Sequence, residues 1–184
     1  MKKNETVASR DFDLLRNNLY CKSLLNICEL LMAFFSLSKE EADALYTAPK
    51  IIQSPQLVRW DNQRGKKQQL TITLSTEDGT PMRIRGWCYQ NEETSHYGFA
   101  LLFKNIVIRR WDDSTPHPNP KVDGKKIVID EPHKHFHHPS YRDKCAYATI
   151  DIRLNDANGA LIDFLNECNV DLKDFKFQPT LGLV

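Results

Sequence analysis

No stretch of this 184-residue chain is apolar for long enough to cross a bilayer. The longest candidate, "LLNICELLMAFF" from Leu24 to Phe35, is interrupted by Asn26 and Glu29 and falls well short of the roughly 20 residues a membrane-spanning helix needs. An excess of one charge is also missing. Twenty-five Lys and Arg against 24 Asp and Glu leave a formal net charge of +1, so no global field drives the protein to nucleic acid or anionic lipid, and any anion binding must come from a local patch. The five cysteines are scattered and odd in number, with no CxxC. That excludes a disulfide framework or zinc ribbon and fits a reduced, cytoplasmic setting. The basic start "MKKNETVASRDFD" has no apolar stretch behind it, so no signal peptide is expected. Repeats and low-complexity tracts are absent.

The composition is that of a folded domain, 41% hydrophobic and 27% charged. From about Ser9 to Phe35 the residues Tyr20, Leu24, Ile27, Leu31 and Phe34 recur at spacings of four and three, one helical stripe. Its breadth needs covering, by the domain core or by a second copy of the chain. In "SLSKEEADAL" Ser38 and Glu41 have the spacing of a capping box, predicting a second helix that Pro49 stops. From Ile51 the period changes to two. Leu70, Ile72 and Leu74 alternate with Thr71, Thr73 and Ser75, and "MRIRGWCYQ" alternates again after the Asp78-Gly79 turn. "YGFALLFKNIVIRRW" reads as one long strand, or as two joined near Lys104-Asn105. Residues 111–126 carry three prolines and read as a loop. Asn155 or Asp156 caps a last helix from Ala157 to Cys168, with Leu161, Phe164 and Leu165 facing inward. The expected architecture is α+β: an antiparallel meander of four to six strands packed with two N-terminal helices and one C-terminal helix. Residues 1–36 form a helical extension in this reading, and 37–184 form the domain.

What the chain has in abundance is histidine in one place. Five of its six histidines fall between His117 and His138, and "EPHKHFHHPS" holds four of them. On an extended segment His133, His135 and His137 point the same way, about 6.5–7 Å apart along the strand. Neutral imidazoles are good ligands for zinc, nickel or iron, and Asp112, Asp113 or His117 could complete such a set. Histidines near their ordinary pKa can equally divide acid and base work, as RNA cleavage requires, with Arg109, Arg110 or Lys134 holding phosphate and Tyr141 donating. The plainer alternative is a polar surface loop with Arg109 and Arg110 paired to Asp112 and Asp113. A binding-only reading rests on Trp60, Trp87, Tyr89 and Trp111 beside Arg83 and Arg85, where bases could stack, although strand aromatics more often belong to a core.

"LSKEEADAL", "RRWDDSTPHPNP" and "EPHKHFHHPSYRDKCAYA" together resemble an uncharacterised family of small bacterial domains with Arg…Asp, His-x-Asn-Pro and Pro-His-x-His elements. The arrangement is also similar to that of TumE-like toxins of toxin–antitoxin pairs. The likeness runs from about Leu37 to Val170. Matching positions are Arg110, Asp112, His117, Asn119, Pro120, Asp123, Gly124, Pro132, His133, His135, Tyr141 and Asp143. His137 stands where the pattern favours tyrosine and Cys145 where it favours tryptophan, which puts His137 and His138 outside the shared machinery. The resemblance implies a nucleic-acid-directed hydrolase, a metal-independent RNA-cleaving toxin or defence-associated factor. His117 and His135 would be its acid–base pair, with His133 orienting one of them, Arg110 holding phosphate and Tyr141 supporting it. Arg109, Asp112, Asn119 and Lys134 would contact substrate. No cofactor is expected, and a divalent metal at His133/His135 is the lesser reading. Expected partners are RNA or another nucleic acid, a protein partner or antitoxin, and a second copy through the N-terminal helix; no membrane is expected. The alternatives are a non-enzymatic nucleic-acid binder or protein inhibitor in phage–host conflict, and thirdly a metal-dependent hydrolase.

Overall fold

The computed structural model describes residues 37–53, 57–63, 67–90, 95–113, 116–121, 125–173 and 175–179. They form helices α1 (Lys39–Thr47) and α2 (Ala157–Glu167) and strands β1 (Lys50–Ile52), β2 (Leu57–Arg59), β3 (Asp61–Asn62), β4 (Lys67–Thr76), β5 (Pro81–Gln90), β6 (Ser95–Phe103), β7 (Ile106–Asp112), β8 (His117–Pro118), β9 (Val128–Ile129), β10 (His133–His138), β11 (Arg142–Ala148), β12 (Val170–Asp171) and β13 (Lys176–Gln178). Among the described residues no helix is long and apolar enough to cross a membrane.

The period of two builds the centre of the sheet. Leu70, Ile72 and Leu74 of β4 sit opposite Gly86, Ile84 and Met82 of β5, and the apolar side chains of both strands are buried. Each fully buried aliphatic chain contributes roughly 1.5–3 kcal/mol. Gly86 is small by necessity, since a Cβ there would meet Leu70 Cγ at 2.9 Å and Phe99 Cδ1 at 3.0 Å. This core face packs on α2, where the Phe99 and Phe164 rings stack 5.7 Å apart. Asp156 caps α2 by accepting from Gly159 N at 2.8 Å. Ser38 and Glu41 close the capping box on α1. The buried Lys50 ammonium donates to the carbonyls of Tyr46, Ala48 and Cys168 at 2.7–2.8 Å, tying the end of α1 to the end of α2. Because strand residues alternate, the opposite face presents the other set: Arg83, Arg85, Trp87 and Tyr89 of β5.

The sheet has nine strands in the order β11-β10-β7-β6-β5-β4-β1-β12, with β3 also on β4. This corrects the expected architecture. The sheet is mixed rather than an antiparallel meander of four to six strands, because β1 and β12 pair in parallel. The described residues hold two helices, not three, and the protein is mostly β. The reason is physical. The added strands are two or three residues long, too short to show a period, and β10 lies inside the histidine run, where polar side chains hide strand alternation. The "AYATIDIRL" stretch contributes only the end of β11. The long segment from Tyr97 splits in two at Lys104 and Asn105, both at positive φ, as a tight hairpin turn requires. Trp60 and Trp111 belong to the core. The helix read over Ser9 to Phe35, and with it the 1–36 extension and any dimer contact through it, lies outside the described residues.

Candidate metal centre

Strand β10 runs between β7 and β11, and its register decides the site. His133 pairs with Asp112 and His135 with Arg110, so these four side chains share the open face of the sheet. Lys134, between the two histidines, pairs with Trp111 and points to the core face. There its ammonium lies 2.5 Å from Asp151 Oδ2 and 2.6 Å from Glu167 Oε2. Strand β11 is the edge of the sheet, and the segment from His117 is stitched to it. The Asn119 side chain donates to Ala146 O at 2.7 Å and accepts from Ala146 N at 2.8 Å, as a neighbouring strand would. His117 is thereby laid over His133 and His135, with ring centroids 5.6 and 4.4 Å away; His133 and His135 are 4.8 Å apart.

The hydrogen bonds fix the tautomers, because a carbonyl oxygen can only accept. His117 Nε2 donates to Lys144 O, His133 Nδ1 to Glu131 O and His135 Nδ1 to Asp143 O, each at 2.8 Å. Three rings are thus each held by one nitrogen on a backbone carbonyl. The nitrogens not held by a carbonyl are Nδ1 of His117 and Nε2 of His133 and His135, the last of these facing Asp112. One ligand atom from each of these residues lies within 4.8 Å of the others. His133 and His135 are fully buried, and His133 Nε2 has no hydrogen-bond partner. Burial lowers the His133 pKa, and the rings of His135 and His117 add to this against the Glu131 carbonyl and Asp112, so the lone pair is available at neutral pH.

Asp112 flanks the same space. Its Oδ2 lies 3.0 Å from His135 Nε2 and 3.7 Å from His133 Nε2. Arg110 fixes it through Nε at 2.7 Å and Nη2 at 2.6 Å, and reaches Asp143 Oδ2 with Nη1 at 3.0 Å. Burial alone would raise the Asp112 pKa. The hydrogen bond from His135 and the Arg110 charge outweigh it, so the carboxyl sits below its usual range and stays ionised. His135 Nε2 also faces Asp112 Oδ2 at 3.0 Å, so an ion on Nε2 would take the place of that hydrogen bond.

Donor chemistry suits a divalent transition metal. Histidines that ligate one almost always donate their other N–H to a carbonyl or carboxylate, as all three do here. Zinc at about 2.1 Å from each nitrogen in tetrahedral geometry spaces them about 3.4 Å apart. The widest pair, 4.8 Å at most, would therefore close by roughly 1.4 Å.

Of the residues expected at the site, His117, His133, His135, Arg110 and Asp112 come together, with Asn119 as the stitch that positions His117. The others are elsewhere. Arg109 pairs with Phe136 and stacks its guanidinium 4.0 Å above the Tyr46 ring. Lys134 is buried in its ion pairs on the core face. Tyr141 lies in the β10–β11 turn, 42% exposed, its ring 4.9 Å from that of His138. His137 Nε2 donates to Leu37 O at 2.8 Å, and the residue stands apart from the three-histidine group. Asp123 and Gly124 lie outside the described residues. Sequence reading did not find the three carbonyls that orient the rings, which no side chain announces. It also did not single out Gly98. A Cβ there would meet Trp87 Cζ2 at 2.4 Å and Asp112 Oδ1 at 2.8 Å, so the missing side chain lets the Trp87 indole lie beside the centre.

Residues 37–170 match the model of a protein family described as a family of unknown function (DUF6978). No curated protein and no solved structure matches the chain.

Proposed function

The chain belongs to this family of unknown function, and we propose that it is a metal-dependent hydrolase whose single divalent ion, zinc in the first instance, is held by His117, His133 and His135. The observation that carries this is the buried, unpartnered Nε2 of His133, with a ligand atom of His117 and one of His135 within 4.8 Å. A buried polar atom without a partner costs about 1–3 kcal/mol, and an ion relieves it. Three protein ligands leave a fourth position open, the pattern of catalytic rather than structural zinc. The ion would supply Lewis acidity and a water ionised near neutral pH. Asp112, kept ionised by Arg110, would orient such a water by accepting its hydrogen bond. Arg110 stabilises negative charge as it develops.

The metal-free reading, RNA cleavage by His117 and His135 as in the TumE-like resemblance, is favoured by the 4.4 Å between their rings. The full burial of His135 weighs against it, since general acids and bases must reach the substrate.

The test is metal content together with hydrolysis of total RNA and of a chromogenic phosphodiester, before and after EDTA. One ion per chain, with cleavage abolished by EDTA and restored by zinc, is the expected result. Cleavage that survives complete metal removal overturns it in favour of the acid–base pair. Absence of both bound metal and cleavage sinks the two hydrolase readings together.

A further inference from the structure

The open face of the sheet carries a groove of about 470 Å³ beside the histidine centre. Its lining includes Lys67, Arg85, Trp87, Arg110 and Asp143. Arg110 and Asp143 are the residues that hold Asp112 and, through the Asp143 carbonyl, His135. The groove therefore adjoins the centre at Arg110 and Asp143.

The chemistry along it is specific in kind. Lys67 and Arg85 supply charge from neighbouring strands, and Arg85 is exposed, with no ion pair among the described residues. Asp143 is already matched by Arg110, so the groove keeps a positive excess. The Trp87 indole lies over Gly98 beside Asp112, and the ring of Tyr89, 45% exposed, stands two residues further along β5 with Lys67 Nζ 5.3 Å from its centroid. Ala100 and Leu102 give the floor a small, apolar surface. Cations interleaved with aromatic rings on a strand surface make a platform for unstacked bases and their phosphates. A duplex keeps its base faces stacked away from such rings. An acidic peptide would use the cations and leave the rings idle.

We propose that this groove binds single-stranded nucleic acid, with phosphates on Lys67 and Arg85 and a base stacked on Trp87, and delivers a phosphodiester to Arg110 at the histidine centre. The proposal names the substrate of the site and rests on the hydrolase reading only for the fate of the strand, not for its binding.

Fluorescence anisotropy of a labelled 12-nucleotide single strand, in RNA and DNA versions, tests it on the full chain in EDTA. Salt dependence should show a log–log slope of about −1.4, from Lys67 and Arg85 at about −0.7 each. Arg85→Glu and Trp87→Leu should each weaken binding about tenfold or more, while zinc titration of Arg85→Glu matches wild type. A duplex of the same sequence should bind more weakly. No binding by wild type, undiminished binding by both variants, or equal affinity for a 12-residue polyglutamate overturns the proposal, the last in favour of a protein partner. Because the ion is absent, failure of the metal centre leaves this result standing, and failure here leaves the zinc titration standing.

Discussion

Replacing His133 by leucine separates a ligand from a fastener, because the two roles predict opposite signs. In metal-free protein the imidazole is fully buried and its Nε2 is unpartnered, a cost of about 1–3 kcal/mol that leucine removes. Leucine also removes the donation from Nδ1 to Glu131 O, worth about 1 kcal/mol. The two side chains are close in volume, so no large cavity opens. The sum runs from about neutral to about 2 kcal/mol more stable than wild type. Zinc at a hundred times its dissociation constant stabilises wild type by about 2.7 kcal/mol. In a domain of this size that raises Tm by roughly 5–11 °C. The leucine variant lacks one of three ligands and should gain almost none of it. Thermal melts in EDTA and in excess zinc should therefore cross: variant equal or higher without metal, wild type higher with it. His137→Leu is the control. It is also buried, with Nδ1 unpartnered, but it stands outside the cluster, and its zinc shift should equal that of wild type. A His133→Leu protein that loses more than about 3 kcal/mol in EDTA would mark the ring as structural, and one that keeps the full zinc shift would refute the ligand set.

Asn119→Leu cuts both hydrogen bonds to Ala146 and releases the segment that carries His117; zinc affinity by calorimetry should fall about 10- to 100-fold, as for other residues that orient ligands, and an unchanged affinity would show that His117 is placed without the stitch. Gly98→Ala forces its Cβ on Trp87 and Asp112 and should cost about 1–3 kcal/mol in urea unfolding, with weakened single-strand binding; a loss below about 0.5 kcal/mol would mean the indole moves aside freely. Asp163 accepts from Arg153 Nε and Nη2, and this hydrogen bonding and charge hold its carboxyl below the usual range. Its folded pKa is the lower one, so the stabilisation is full above about pH 4 and lost as pH falls through the folded value. Arg153→Met should destabilise at pH 7 and progressively less as pH falls below about 4, and a loss that does not change with pH would assign the effect to packing.

The parts of this fold that were legible are those whose signal is local and repeated. Leu70, Ile72 and Leu74 announce their face in three alternations, and Ser38 with Glu41 announces a helix start in four residues. The parts that were not legible depend on partners far away in sequence. β1 and β12 are two or three residues each and exist because Lys50 finds Val170, 120 positions on. The same limit applies at the site. "HKH" places His133 and His135 on one face at sight, yet whether Lys134 joins them turns on a strand's alternation, which sends it to Asp151 and Glu167 instead. Arg109 and Arg110 divide the same way: adjacent in sequence, they end on opposite faces, one stacked on Tyr46 and the other clamped to Asp112.

The cluster's chemistry turns on what the spare nitrogens face, and composition cannot report that. Four histidines in "EPHKHFHHPS" are compatible with an acid–base pair, a cage or a polar loop. What discriminates is that three of the rings pinned by main-chain carbonyls, those of His117, His133 and His135, also bring a ligand atom each within 4.8 Å of one another. An acid–base pair needs at least one ring free to gain and lose a proton toward substrate. Here His133 and His135 have no exposed surface, and each has one nitrogen committed to an acceptor that never donates. Such rings lie out of a substrate's reach, but they are oriented in advance toward a common point, and the backbone that orients them is the sheet itself. That is why the metal reading, the lesser one on sequence, becomes the stronger one once β10 is seen between β7 and β11.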